Sequence, residues 1–159
     1  MPIAPSELIL TDKGSIYHLD LRPEQIATTI ITVGDPDRVE LVSGYFDKVD
    51  YRVQHREFVT HTGMLGSKRI SVLSTGIGTD NIDIVLNELD ALVNVDFEKR
   101  EIKKEKISLD IIRIGTSGTI RSEIEIDQII LSKGAIGLDG LMHFYERETD
   151  QCEDELLNW

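Results

Sequence analysis

Three short apolar runs, each ending in glycine beside small hydroxyl or acidic residues, constrain this chain most. They are "TTIITVGDPDR" (28–38), "ISVLSTGIGTDN" (70–81) and "DIIRIGTSGTI" (110–120). β-Branched apolar stretches of this length read as buried strands. The glycine marks where the strand stops and the chain turns. In the first two, a helix pattern follows at once. Strands that alternate with helices predict an α/β layered domain, with a central mixed, mostly parallel sheet flanked by helices. In such sheets ligands sit at the carboxyl ends of the strands, where glycine lets them approach the backbone.

The helix after the first run is expected to start at Asp35. Asp35 suits the N-cap and Pro36 the first helical position, while Val39, Val42 and Phe46 share a face. Strands are expected over 49–54, 56–65 and 68–75, the last two joined by the turn "LGSK". A helix over 79–93 follows from the spacing of Ile82, Val85, Leu86, Leu89, Leu92 and Val93, with Thr79 or Asp80 as its cap. Residues 109–116 read as a further buried strand, and 126–141 as one more strand with its continuation. Segment 96–108, "DFEKREIKKEKIS", is densely charged with both signs and reads as a solvated surface insertion, a loop or a helix extension. The acidic tail 146–159 reads as a short helix or an unstructured end. The 159 residues suit one domain spanning 1–159. After residue 116 no strong amphipathic helix appears to cover the sheet, so the domain looks incomplete at its C-terminus.

The formal net charge of −12 argues against nucleic-acid or anionic-membrane surfaces. It does not exclude a small anion held by a few arginines in one cleft. No apolar run is long enough to span a membrane, and "MPIAPSELIL" lacks the basic and apolar regions of a signal peptide. The single cysteine, Cys152, excludes an intrachain disulfide framework and a cysteine metal cluster. The expected location is cytoplasmic.

Arg38, near the start of its helix, is placed to lean back over the Gly34 turn. The alternative is a surface ion pair with Asp35 or Glu40. Arg113 lies between Ile112 and Ile114, and a charge in a buried strand needs a carboxylate or a bound anion. Thr116, Ser117 and Gly118 follow it with hydroxyls and backbone N–H groups. Arg56, between His55 and Glu57, is either exposed or directed to a neighbouring subunit, and His18 is open to a structural or a functional role.

Six motifs in order, "YHLDL" (17–21), "VGDPDRV" (33–39), "HREF" (55–58), "STGIGTDN" (74–81), "RIGTSGTI" (113–120) and "GLDGL" (137–141), resemble the nucleoside phosphorylase family, most closely its uridine phosphorylase branch. The resemblance implies reversible phosphorolysis of a nucleoside, uridine by motif similarity, to free base and ribose 1-phosphate. Inorganic phosphate is a co-substrate, with no cofactor and no assigned metal. It implies phosphate binding by Gly34, Arg38, Arg113 and Thr116, with Arg38 and Arg113 catalytic. Arg56 would bind the same phosphate, lent by the adjacent subunit of a homo-oligomer, a dimer or a hexamer of dimers. His18 would cross the dimer interface to the ribose 5′-hydroxyl, and Ser117 and Gly118 would border the nucleoside. Some members bind a monovalent cation near the positions of Glu57 and Ile77. Family members run well past residue 159, so the chain is expected to match their N-terminal part. Two other functions stay open. One is a truncated phosphate-binding or assembly module without turnover. The other is a related hydrolytic nucleosidase, against which three arginines speak, because water needs no such set.

Overall fold

Alternation along the first strand, β1 (Thr29–Val33), sends Ile30 to one face of a sheet and Ile31 and Val33 to the other. The chain continues through helix α1 (Asp37–Ser43) and strands β2 (Lys48–His55), β3 (Phe58–Leu65) and β4 (Lys68–Ser74). Helix α2 (Thr79–Asn94), strands β5 (Val95–Asp96) and β6 (Glu101–Ile102), and strand β7 (Asp110–Arg113) follow. The structure is a computed structural model and describes residues 2–148 and 154–155. It divides into two units, 1–118 and 119–159.

In the first unit the sheet runs β2-β3-β4-β1-β7. β1 pairs in parallel with β4 and β7, whereas β3 pairs antiparallel with β2 and β4. The sheet is therefore mixed as expected, but parallel and antiparallel pairs are equal in number. The two-residue connections at 56–57 and 66–67 force antiparallel neighbours. Gly66, at φ 59°, supplies the left-handed residue of the expected "LGSK" turn.

Helices cover both faces. Val85, Leu89 and Leu92 of α2 pack with Ile30, Phe58 and Leu73, together with Leu8, Leu19 and Leu21 from the N-terminal segment. Val39 of α1 packs with Val33 and Val72, flanked by Val42 and Phe46 as the sequence pattern predicts. Each fully buried side chain of this kind contributes about 1.5–3 kcal/mol relative to exposure. A strap closes the first face at its end. Arg100 donates to the carbonyls of Ile3, Ala4 and Leu8, and its own carbonyl accepts from Ile3 N–H.

Several expectations need correction. Helix α1 begins at Asp37 rather than Asp35, with Pro36 in the capping position. Asp35 still serves that end, because its carboxylate accepts from Asp37 N–H at 3.0 Å. Helix α2 has the expected span, but its N-cap is Gly78 at φ 103°, without a side-chain cap from Thr79 or Asp80. Segment 96–108 is neither a plain loop nor a helix extension. β5 and β6 pair as a short hairpin, and Asn94 bonds both backbone groups of Ile107. Strand β7 forms, but it is exposed throughout. It is an edge strand, paired among the described residues with β1, and Ile112 is 54% exposed.

In the second unit, described over 119–148 and 154–155, the strand expected within 126–141 is absent. A strand exists only by pairing, and no partner for this run appears among the described residues. A 3₁₀ turn spans Leu141–Phe144, and Arg121 pairs with Glu123. The tail from 149 lies outside the described residues except 154–155, and so does Cys152.

His61 of β3 is buried beneath α1. Its Nδ1 is hydrogen-bonded to Ser43 Oγ at 2.7 Å, and Arg52 Nη1 lies at 3.2 Å from the same atom. Burial, then the Arg52 charge, holds its pKa below the ordinary 6.5. The unfolded chain therefore takes up a proton that the folded state resists. This contribution to stability is complete above about pH 6.5 and is lost as pH falls through the folded value. Thermal melts are expected to weaken as pH falls below about 6.5, and His61→Gln is expected to flatten that slope. An unchanged slope in the variant would assign it to other groups.

Candidate active site

β4, β1 and β7 lie side by side and parallel. Their carboxyl ends, and the three glycine turns that follow, therefore meet at one edge of the sheet. Thr75 N–H donates to Val33 C=O at 2.8 Å, and Ile114 N–H donates to Thr32 C=O at 2.9 Å, which ties the three ends together. A cavity of about 640 Å³ opens there, a size suited to a small-molecule site. Gly34, Arg38, Arg113 and Thr116 line it.

The register sets Arg113 beside Thr32, one residue before the end of β1. A Cβ built on Gly34 would lie 3.7 Å from Arg113 Nη2 and 3.7 Å from the Gly76 carbonyl. The guanidinium thus stands over the bare α-carbon of the turn. Arg38 enters from the first turn of α1. The alternative ion pair with Asp35 or Glu40 is not made. Glu40 instead lies 3.7 Å from Arg52, and among the described residues neither Arg38 nor Arg113 has a carboxylate partner. β7 is exposed along its length, so the expectation of a charge in a buried strand does not hold for Arg113. What replaces it is two guanidinium groups, from different elements and without an ion pair among the described residues, lining one concave space that Asp35 and Glu57 also line. Such a pair favours an anion with several oxygens.

For the second glycine turn the resemblance implied only a cation contact near Glu57 and Ile77 in some family members, with no metal assigned. Gly76, Ile77 and Asn81 line the cavity, together with Glu57. Asn81 Nδ2 donates to Glu57 Oε1 at 3.2 Å. Gly76 has φ 66°, and a Cβ there would come within 2.5 Å of Asn81 Nδ2. The signal was present in "STGIGTDN", whose first glycine now has a definite reason: close approach of a side chain in a left-handed turn.

The other candidates lie elsewhere. Arg56 and Glu57 form the two-residue turn between β2 and β3, and Arg56 is held at φ 56°, a costly region for a residue with a side chain. Glu57 goes to the cavity, while Arg56 stacks over the Tyr17 ring, 5.6 Å from its centroid. His18 meets the same ring edge-on at 4.9 Å. Arg56 and His18 are therefore neighbours of one another through Tyr17, and neither lines the cavity. Ser117 and Gly118 follow Thr116 in exposed chain and are not part of the lining. No group of three or more metal-ligating side chains occurs among the described residues. No helix there is long and apolar enough to cross a membrane.

Residues 28–153 match the family described as the Phosphorylase superfamily. The chain belongs to it. This bears out the resemblance drawn from the six motifs. Among curated phosphorylases, the chain is 35% identical over 137 residues to uridine phosphorylase of Thermococcus kodakarensis, covering 86% of this chain and 44% of that protein. It is 34% identical over 145 residues to uridine phosphorylase of Escherichia coli, covering 89% and 52%. A solved Trypanosoma brucei nucleoside phosphorylase, described as showing uridine phosphorylase activity, superposes with a TM-score of 0.85 at 34% identity, over 95% of this chain and 52% of that one. The mixed-sheet phosphorylase fold is thereby established, and the chain spans about half the length of the curated relatives it matches.

Proposed function

We propose that the cavity holds inorganic phosphate for the reversible phosphorolysis of a nucleoside, with uridine as the first substrate to test. The observation that carries this is the meeting of Arg38 and Arg113 at the Gly34 turn, with no carboxylate partner among the described residues. Arginine forks match phosphate oxygens in pairs and keep their charge at every working pH. Gly34 leaves the backbone open to the anion, and Thr116 adds a hydroxyl. Breaking an N-glycosidic bond builds positive charge on the sugar, as in glycoside hydrolysis. A phosphate fixed beneath C1′ stabilises that charge and captures the carbon, so the protein's part is positioning and electrostatics. Electrons flow from a phosphate oxygen to C1′, and the C1′–N bond pair leaves with the base. This chemistry calls for no cofactor. The names of the relatives favour uridine.

Arg56 and His18 belong in this reading to a partner's site in a homo-oligomer. They share the Tyr17 patch, away from the cavity of their own chain. A cytoplasmic location accords with the lone cysteine.

The test is release of uracil from uridine, followed with and without inorganic phosphate. Release is expected only with phosphate, with ribose 1-phosphate as the second product. Release that ignores phosphate would overturn phosphorolysis in favour of hydrolysis. Phosphate binding without release would make the chain a binding module.

A further inference from the structure

Glu88 sits on α2 beside the buried Leu89, yet its carboxylate serves residues 70 positions earlier in the chain. His18 N–H donates to Glu88 Oε1 at 2.9 Å, and Leu19 N–H donates to Oε2 at 2.8 Å. The His18 ring nitrogen Nδ1 lies 2.8 Å from Oε1. The Glu88 side chain is 12% exposed and that of His18 28%. From the other side, His55 Nδ1 donates to the His18 carbonyl at 3.0 Å. His18 is thus held at its amide, its carbonyl and one edge of its ring.

We propose that Glu88 is the positioning residue for His18, fixing the tautomer that the nucleoside meets. This rests on the reading of His18 as a ligand of the nucleoside. An ionised carboxylate only accepts hydrogen bonds, so the ring nitrogen facing Glu88 carries the hydrogen. In the neutral imidazole Nε2 is then bare, with a lone pair directed away from Glu88. Among the described residues no protein group bonds Nε2. A bare ring nitrogen is an acceptor, and the complement it selects is a hydroxyl donor such as the 5′-hydroxyl of a ribose. The opposite tautomer would present N–H and compete as a donor. The bidentate grip on two backbone amides also stops the ring from moving with the N-terminal segment, so Nε2 is presented in one direction.

Two measurements decide the matter. Long-range ¹H–¹⁵N NMR of the wild-type chain is expected to show His18 protonated on Nδ1 and bare on Nε2, and Glu88→Gln is expected to mix the tautomers. The affinity for uridine relative to 5′-deoxyuridine is expected to fall about tenfold in Glu88→Gln, the loss of one well-placed hydrogen bond. His18→Ala should lose the same discrimination. A wild-type ring protonated on Nε2 overturns the proposal without any variant. So does discrimination that survives in Glu88→Gln but is lost in His18→Ala. If His18→Ala itself keeps the discrimination, or neither nucleoside binds, the nucleoside reading of His18 fails and the role of Glu88 falls with it.

Discussion

Removing both arginines, Arg38→Ala with Arg113→Ala, is expected to abolish measurable phosphate binding, and each single change should raise the phosphate requirement about 10–100-fold. That range is the worth of one charge-assisted, two-pronged bond to an anion. The nucleoside requirement should change far less, because the arginines face the anion. The two losses should not multiply cleanly, since both groups bind one ligand. Arg113 is exposed on an edge strand and Arg38 is only half-buried, so the melting temperature should hardly move. Arg113→Lys should recover part of the affinity through charge, but not the paired geometry. Initial rates against phosphate at saturating nucleoside, or calorimetric titration with phosphate, read this directly. Equal effects on phosphate and nucleoside, or a drop of many degrees in melting temperature, would make these arginines structural.

Gly63→Ala is expected to be the most destabilising small change in the chain, at about 3 kcal/mol or more. Gly63 lies in β3, paired with Val49 on one side and Ile70 on the other. A Cβ there would come within 2.1 Å of the Lys48 carbonyl oxygen and 3.0 Å of Phe46 Cδ2. The clash is with backbone, beside the register shift between Val49 and Tyr51, so rotamer changes cannot relieve it. At roughly 2–4 °C per kcal/mol for a chain of this size, the melting temperature should fall by about 6–12 °C. Gly66→Ala is the control. It meets nothing within 4 Å at φ 59°, so only the backbone conformation resists, at about 1 kcal/mol. A Gly63→Ala protein that melts within two degrees of the parent would show that β2 yields freely at Lys48.

Much of the site was legible because it is local. The turn "VGDPDR" sets a glycine, an acceptor carboxylate and an arginine within five positions, and those relations survive any packing. Most of the apolar faces of α1 and α2 were legible for the same reason, since helical periodicity is a property of the chain itself, although Leu86, expected on the α2 face, is 45% exposed. Strand 126–141 was misread because an apolar run carries no record of whether a neighbour will pair with it. Arg113 does line the cavity, but not for the reason expected from its neighbours. Its flanking isoleucines suggested burial, whereas β7 is exposed along its length.

Sequence alone determined that three strand ends would carry glycine turns, that arginines would stand beside two of them, and which family the motifs resemble. Only the tertiary structure decided that β4, β1 and β7 are adjacent and parallel, and this adjacency turns three separate motifs into one cavity. It alone brought Glu57 and Asn81 into that cavity, sent Arg56 and His18 to Tyr17, and set Glu88 against a histidine 70 residues away. The physical reason is that turn chemistry and periodicity act over a few residues. Strand order and long-range hydrogen bonds are instead fixed by the burial of both sheet faces at once, which no short stretch can encode.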